Sequence, residues 1–427
     1  MKLALLLPLA ALLGTAKSAD VTYHKDVLPV LQKHCQICHR PGEAGPMSFT
    51  SYKETRPWAK SIRDAVASKK MPPWYADPAH GKFANDRRLD PKELETLTQW
   101  AATGAKEGNA KDAPKPVEFA SGWTIGKPDL VLEMPLEFDI PAKGTLEYQH
   151  FVIPTNFKED VWVTAVEVRP SNRAVTHHGV AFVRPPGSKW LQDAKPGIAY
   201  VPKGRWQNNL GVTEEIFETY VPGAVPHHLQ PGQAKLIPAG SDIVLQMHYT
   251  ANGTAGKDKS KVGFVFAKEP PVERVYSMNI SQSRFMIPPG ASAHPVDAKM
   301  TFQQEVKLLA MSPHMHLRGK SMEYTAVYPT GESEVLLNVP NYDFSWQLFY
   351  YVDKPKVLPK GTTINIHATF DNSANNKNNP DATKEVKWGD QSWEEMMVGF
   401  VDVVIPAKTD PLEIYRGIRP ATKPAAE

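Results

Sequence analysis

The spacing of apolar residues changes near residue 108 of this 427-residue chain. Before that point, helical spacing predicts three helices, in VTYHKDVLPVLQKHC, ETRPWAKSIRDAVASKK and DPKELETLTQWAATG. Asp90 is suited to cap the last of them, with Pro91 at its first helical position. We therefore expect a small all-α domain over residues 20–108.

Residues 109–124 are rich in Lys, Ala and Pro and are predicted to be a linker. Beyond this segment, short apolar runs replace the helical pattern. Examples are VWVTAVEVRP, HHGVAFVRP, DIVLQMHYT, TTINIHATF and MMVGFVDVVIP. Many short strands separated by proline and glycine predict β-sandwiches. The length suits two all-β sandwiches, at 125–268 and 269–408, followed by a tail at 409–427 that we expect to be disordered at its end.

The N-terminal residues 1–18 have the pattern of a signal peptide, with one early lysine, an apolar run from Leu3 to Leu13, and then small residues. That run is too short for a membrane span, and no later stretch is apolar enough for one. We expect cleavage before Ala19 and a periplasmic protein without a membrane span. The net charge of +3 gives no sign of a nucleic-acid partner.

Both cysteines of the chain, Cys35 and Cys38, lie in HCQICHR and are followed by His39. C-x-x-C-H is the attachment motif of a c-type haem, in which two thioethers hold the haem and the histidine is the proximal iron ligand. A zinc site would need further cysteines or a spaced histidine pair. A thioredoxin-like redox pair would need a βαβ context, which the pattern lacks. The sequence favours a covalent haem c, and the helical region resembles a class I-like cytochrome c domain.

The second axial ligand of such a haem is commonly a methionine. Met71, in KKMPPW, is preferred because two prolines stiffen the backbone after it, and because the stretch resembles the ligand loop of this cytochrome type. Met47 is a second candidate, and either methionine could instead fill a core. His24, His34 and His80 are further alternatives.

Histidines in the β region form a second pattern. His314 and His316 are two residues apart, which on a strand places both imidazoles on one face, within reach of one metal ion. His177 and His178 are adjacent, so a regular strand would point them to opposite faces, and sharing an ion requires a strand end or a strong twist. His248 alone is more typical of an ordinary core or surface histidine.

The stretches THHGVAFV, VLQMHYT, HMHLRGK and WEEMMVGF together resemble the copper type II ascorbate-dependent monooxygenases. The resemblance extends from the linker to near the C-terminus. It implies two jelly-roll-like sandwiches that each hold one copper ion. The implied ligands are His177, His178 and His248 for an electron-transfer copper, and His314, His316 and Met396 for an oxygen-activating copper. Met397 is a neighbouring alternative that would face the other way on a strand.

Substrate recognition departs from that family. The peptide-processing members hold a carboxylate with an arginine, an asparagine and a tyrosine, where this chain has Ser312, Val398 and Phe400. None of these can form a charged clamp, so we expect a more apolar small-molecule substrate. The animal enzymes also carry disulfides, for which this chain has no spare thiols.

The combined hypothesis is a periplasmic, haem-coupled copper monooxygenase that hydroxylates a C–H bond with dioxygen and receives electrons from a periplasmic donor. The alternative is a non-catalytic electron-transfer or copper-handling protein on the same scaffold. His227 and His228 are expected to be a surface pair in a loop, and the aromatic stretch 342–352 is expected to form core or a domain interface.

Overall fold

The computed structural model describes residues 20–119, 122–202, 215–222 and 226–416. The predicted signal peptide, residues 1–18, lies outside these ranges, as does the end of the predicted tail. The described chain is mostly β-sheet with few short helices, as expected for β-sandwich domains. None of the helices in these ranges is long and apolar enough to cross a membrane.

Contacts divide the chain into two compact units. The described part of unit 1 covers residues 20–36, 47–72 and 89–117. It contains the helices α1 (Leu28–His34), α2 (Tyr52–Thr55), α3 (Ala59–Ala67) and α4 (Pro91–Ala102). A π-helical turn, Tyr23–Val27, precedes α1, and a 3₁₀ turn, Arg56–Trp58, joins α2 to α3.

The predicted start of α4 is confirmed. The Asp90 side chain accepts a hydrogen bond from the backbone N–H of Glu93 at 2.8 Å, and the Glu93 side chain accepts from the backbone N–H of Asp90 at 2.9 Å. This reciprocal pair satisfies two N–H groups that the first helical turn cannot bond itself. The same helix buries Leu97 and Trp100 in the core of unit 1.

The second predicted helix is interrupted. Pro57 has no backbone N–H to continue an α-helical ladder, so the chain passes through the 3₁₀ turn Arg56–Trp58 before α3 begins. Ile62 and Val66 of α3 are buried in the same core as Leu97.

Unit 2 consists of Ile37–Pro46, Pro73–Arg88 and the described residues from Glu118 onward. Its strands in the first half are β1 (Leu130–Glu133), β2 (Phe138–Ile140), β3 (Gln149–Pro154), β4 (Val161–Arg169), β5 (Thr176–Arg184), β6 (Glu215–Tyr220), β7 (Gln233–Ile237), β8 (Asp242–Tyr249), β9 (Gly256–Asp258) and β10 (Lys261–Phe266). Those of the second half are β11 (Glu273–Ser281), β12 (Met286–Ile287), β13 (His294–Thr301), β14 (Val306–His314), β15 (Gly319–Val327), β16 (Ser333–Val339), β17 (Tyr350–Leu358), β18 (Thr363–Phe370), β19 (Val386–Lys387) and β20 (Val398–Pro406). A short helix, α5 (Leu412–Arg416), follows.

The β region forms two sandwiches that share one sheet. An eight-stranded sheet has the order β1-β10-β4-β7-β11-β20-β14-β17, and its halves join where β7 and β11 pair in parallel. The four-stranded sheet β3-β8-β5-β6 packs on the first half, and β13-β18-β15-β16 packs on the second. Two-stranded pairs, β2-β9 and β12-β19, complete the described sheets.

Each sandwich has its own apolar core. In the first, Phe151 and Leu245 meet Val166 and Phe264 across the two sheets. In the second, strand β18 alternates buried and more exposed residues, as expected of a strand with one face on the core. The second core is larger, and a segment from far earlier in the chain contributes to it.

That segment is residues 73–88, which we call the strap. Its Trp74 and Phe83 are buried against Tyr350, with ring centroids 4.9 and 5.5 Å away. Backbone hydrogen bonds from Asp77 to Asn338 and from the strap to β17 fix it in place. The strap falls inside the range predicted for the haem domain, and the predicted domain boundaries stay a prediction.

Candidate metal centre

Three histidines meet on the paired strands β5 and β8. Across this pair Thr176 is opposite Tyr249 and His178 is opposite His248, so His177 is an extra residue on β5. Such a β-bulge bends and twists the strand locally and re-aims its side chains. The bulge therefore explains how two adjacent histidines reach the same side, which the sequence pattern alone left open.

The ring nitrogens of this set, which we call the first histidine set, lie close together. Nδ1 of His177 and Nδ1 of His178 are 3.3 Å apart, and one nitrogen from each of His177, His178 and His248 lies within 4.8 Å of the other two. Two imidazole nitrogens that each lie about 2.0 Å from one ion are at most about 4 Å apart, and the 3.3 Å between His177 and His178 fits that limit. Nδ1 of His248 is buried and has no hydrogen-bond partner within the described chain, as expected for a nitrogen kept for a ligand.

Burial also keeps this set neutral. It lowers the pKa of His177 to about 4 and that of His248 to about 3, and it lowers the pKa of His178 well below its usual value. A neutral imidazole offers the lone pair that a metal needs. The geometry and the donor type therefore fit a copper ion, and the ligand role of these residues remains a prediction.

His314 and His316 form the second histidine set. His314 is the last residue of β14, and His316 lies two residues beyond the strand, so they do not share a regular strand face as expected. Their rings nevertheless lie 5.2 Å apart at nearly right angles. His316 is fully buried, and burial lowers the pKa of both histidines, that of His314 to about 4.

Glu395 holds this segment in place. One oxygen of its buried carboxylate accepts the backbone N–H of His316 at 2.8 Å, and the other accepts that of Arg318 at 2.6 Å. Burial raises the pKa of Glu395 to about 8, although these two donors and the Arg318 charge oppose the rise. The fixed backbone at 316–318 sets the position of the His316 ring.

Hydrogen bonds also orient both rings. Nδ1 of His314 lies 2.6 Å from Oε1 of Gln347, and Nδ1 of His316 lies 3.3 Å from the carbonyl oxygen of Glu394. Both partners are acceptors, so each Nδ1 carries the proton and each Nε2 keeps its lone pair. Nε2 of His316 is buried without a hydrogen-bond partner in the described residues, which fits a metal ligand.

The two neighbouring methionines differ in their surroundings. Met396 is buried next to Val398 and Trp388, and it lines a cavity together with His314. Met397 lies in the core of the second sandwich. Met396 is thus the methionine placed beside the second histidine set, and its role as a thioether ligand stays a prediction.

The two histidine sets lie much closer together than one site per sandwich would suggest. The Tyr148 ring lies 4.6 Å from that of His248 and 6.4 Å from that of His316. Phe344 similarly lies 5.2 Å from His177 and 5.9 Å from His316. Single aromatic rings therefore separate the two sets.

A largely apolar cavity opens between the sets, which we call the central cavity. His178 and His314 lie in its wall with Met396, and Phe182 and Trp190 are among its apolar lining. The three positions that differ from the peptide-processing enzymes, Ser312, Val398 and Phe400, also line it. The sequence missed Tyr148, Gln347 and Phe344 as site residues, because no local motif marks them.

The C-x-x-C-H motif follows α1. Cys35 ends that helix, and Cys38 and His39 lie in the next turn, with no disulfide between the two thiols. A Cβ at Gly45 would lie 2.6 Å from Nδ1 of His39, so only a glycine allows this close approach. The backbone at Gly45 therefore lies against the Nδ1 side of the ring, and the role of His39 as proximal ligand stays a prediction.

The candidates for the second axial position have different surroundings. Met71 is half-buried after α3, and Met47 packs on the core of unit 1. His24 is paired with Glu107 at 3.4 Å, and His34 is paired with Glu93 at 3.0 Å. His80 lies half-buried in the strap. These pairs argue against His24 and His34, and Met71 stays a prediction.

Two further expectations have mixed outcomes. His228 is exposed as expected, but His227 is half-buried and stacks on Tyr351 with ring centroids 4.4 Å apart. The aromatic stretch 342–352 contributes Tyr350 to the second core, as expected, but its Phe344 lies between the histidine sets.

One family model matches part of the chain. Residues 275–403 match the model described as copper type II ascorbate-dependent monooxygenase, C-terminal domain. The matched range contains His314, His316 and Met396, whereas the first histidine set and the C-x-x-C-H motif lie outside it. At a coarse level the match supports a copper oxidoreductase that is similar to the copper monooxygenases.

Other comparisons give little. No curated protein matches this chain. The VP2 subviral particle of infectious bursal disease virus is similar with a TM-score of 0.20 and 8% identity, over 68% of this chain and 74% of that chain. The Sputnik virophage structure gives a TM-score of 0.20 and 8% identity, over 73% of this chain and 94% of that chain. TM-scores this low carry no argument about fold or function.

Proposed function

We propose that this protein is a periplasmic copper monooxygenase that hydroxylates a C–H bond of a small, largely apolar molecule. The observation that carries the proposal is the pair of buried, neutral histidine sets on either side of one cavity, with Met396 in its wall. The family match over residues 275–403 supports the copper and the reaction class.

The chain's own residues have distinct tasks in this proposal. Copper, when bound, would supply the one-electron chemistry with dioxygen. His177, His178 and His248 would hold one ion on a rigid strand pair, and His314, His316 and Met396 would hold the other. Glu395 and Gln347 position the second set through hydrogen bonds. The apolar lining of the central cavity would hold the substrate and exclude water.

The electrons would come from a covalent haem c attached at Cys35 and Cys38. Within unit 2, the segment 37–46 supports an entry point near the first histidine set. Its Glu43 forms an ion pair with Arg173, whose guanidinium lies 5.8 Å from the centre of the Tyr220 ring. Tyr220 on β6 is opposite Gly179 on β5, and Gly179 follows His178.

A single variant separates this function from the non-catalytic alternative. Met396→Leu keeps side-chain volume and apolarity, so its stability cost is expected to be below about 1.5 kcal/mol. It removes the only soft ligand of the second set. We expect loss of most reductant-driven dioxygen uptake, with copper at the first histidine set unchanged. An electron carrier would show no such loss.

The control is Met397→Leu, because Met397 lies in the sandwich core rather than in the cavity wall. It should keep dioxygen uptake. Uptake by Met396→Leu equal to that of the wild-type protein would overturn the assignment of Met396. A copper-loaded wild-type protein that consumes no dioxygen with apolar C–H substrates would favour the carrier.

The haem has its own test. Protein exported in a host that matures c-type cytochromes should keep its haem through denaturing electrophoresis, and a Cys35→Ala, Cys38→Ala double variant should lose it. Met71→Ala should leave the haem attached while changing its absorption spectrum and lowering its potential. An unchanged spectrum would move the second axial ligand to another residue. Met47→Leu is the matched control.

A further inference from the structure

A second cavity of unit 2, which we call the side cavity, lies beside the central one and carries charged groups that the proposed ligand sets do not use. Strands of both sandwiches line it. Its polar and titratable lining side chains are Thr164, Glu218, Thr219, His227, Lys235, Ser277, Tyr351 and Asp402.

Two carboxylates, those of Glu218 and Asp402, line the side cavity. The Lys235 ammonium donates to the Phe217 carbonyl and to the Ser277 hydroxyl, both at 2.9 Å, so its bonds go to neutral groups. Oε1 of Glu218 accepts the backbone N–H of Thr219 at 2.8 Å. Oδ1 of Asp402 is buried with no hydrogen-bond partner among the described residues.

The two cavities share a wall. Ile216, Thr219 and Phe349 line both of them. Of these three, Thr219 alone has a side-chain group that can both donate and accept a proton. It follows Glu218 on β6, an edge strand whose described part pairs with β5 alone. The central cavity on the other side contains His314 and Met396.

The proposed reaction needs protons as well as electrons. Hydroxylation of a C–H bond by dioxygen consumes two electrons and two protons and yields the alcohol and one water. The acidic side chains in the lining of the central cavity are those of Tyr148 and Asp390, and neither of them also lines the side cavity. We propose that Glu218 and Thr219 form a proton relay that connects the side cavity to the oxygen-reacting side of the central cavity.

In this relay the Glu218 carboxyl passes a proton to the Thr219 hydroxyl, which passes its own proton into the central cavity. Water in the side cavity then reprotonates Glu218. The relay rests on the proposed function, because it serves dioxygen reduction. Burial raises the pKa of Glu218 to about 7, against the opposing effects of Lys235 and the Thr219 N–H. That pKa suits a group that must gain and lose protons near neutral pH.

Other charged groups around Glu218 also shift its pKa. Lys235 on β7 lowers its pKa, whereas Asp402 on β20 and Glu167 on β4 raise it. Tyr351 on β17 and the loop residue His227 complete the titratable lining, and burial lowers the pKa of His227. Protonated Glu218 is the donor, so relay-limited uptake should fall as pH rises through about 7.

The test uses Glu218→Gln, which keeps shape and removes the proton. Reductant-driven dioxygen uptake by the copper-loaded, full-length protein should fall by about 10²-fold or more, and the fall of uptake above about pH 7 should disappear. Glu218→Asp should restore part of the rate. Thr219→Val should slow uptake, and Thr219→Ser should restore part of the rate because serine keeps the hydroxyl.

Infrared spectroscopy of the copper-free protein tests the Glu218 carboxyl independently of dioxygen uptake. In copper-free protein, infrared difference spectra should show a carboxylic acid band that titrates near pH 7 and is lost in Glu218→Gln, while the band of Glu395, whose pKa is raised to about 8, remains. Glu323→Gln, on β15 and outside both cavity linings, should keep the band and the uptake rate. Wild-type uptake and an unchanged pH profile in Glu218→Gln would overturn the relay alone. A wild-type protein that consumes no dioxygen would instead remove the proposed function, and the relay with it.

Discussion

The two histidine sets both lie at the central cavity, but different structural elements position them. In the first set, all three histidines lie on the paired strands β5 and β8, and a bulge fixes the position of His177. In the second set, His314 ends a strand and His316 lies beyond it. The position of this set therefore depends on hydrogen bonds from side chains outside β14: Glu395 holds the backbone of His316, and Gln347 holds the ring of His314.

This difference matches the tasks that we propose for them. A site built on strands is held more precisely than one on connecting segments, which suits an ion that only passes electrons. A site on segments beyond strand ends relies on hydrogen-bonded partners, and it can leave room for dioxygen and substrate. The comparison predicts that the second set depends on residues outside its ligands and that the first set depends on sheet register.

Removal of a ligand should have the largest effect. His316→Ala should lose one copper per chain and essentially all dioxygen uptake, while the first set keeps its ion. His248→Ala should lose the other copper. Elemental analysis and uptake measurements check both. His367→Ala is the control, because this exposed histidine on β18 pairs with Asp297 and belongs to neither set. Two coppers retained in His316→Ala would contradict the assignment.

The next largest effect should come from Glu395→Gln. The new amide nitrogen cannot accept a backbone N–H, so one of the two donors loses its partner, at a cost of about 1–3 kcal/mol in unfolding free energy. Copper affinity of the second set should fall about 10–100-fold, with the first set unchanged. Copper titration and thermal unfolding measure this. Glu394→Gln is the adjacent control. An equal loss of copper affinity at both histidine sets in Glu395→Gln would contradict a specific role of Glu395 at the second set.

Gln347→Leu should act more weakly. It removes the acceptor on Nδ1 of His314, so the ring is no longer held in the tautomer that leaves Nε2 free. Copper affinity of the second set should fall about 10-fold. Gln246→Leu on β8 is the matched control. It removes a similar hydrogen bond to a histidine, His150, that is not a proposed ligand. Equal copper affinities in the two variants would rule out the positioning role of Gln347.

The smallest effect is expected for Tyr148→Phe. The ring that separates the two sets remains, and only the hydroxyl is removed, so stability should change by about 1 kcal/mol at most. Both coppers should bind as before. Tyr148→Ala removes the separating ring and should alter both sites together, which electron paramagnetic resonance of the copper-loaded protein would report. Altered spectra in Tyr148→Phe would assign a role to the hydroxyl itself.

Much of the local structure follows from the sequence. The capping box at Asp90 and the strands that carry His178, His248 and His314 all form where the pattern predicts them. These features depend on residues within a few positions of one another, such as a cap and its third neighbour or alternate residues along a strand. The proposed ligand residues, although their roles are untested, lie in motifs of the same short range.

Only the tertiary structure decides the rest. The bulge at His177 exists because β5 pairs with β8, and the second set is ordered because Glu395, far along the chain, reaches the backbone of His316. The strap enters the second core, and β7 joins β11 into one sheet, through contacts between distant residues. Periodicity reports which face of an element is apolar. It does not report which distant element will cover that face, because that choice depends on the packing of the whole unit.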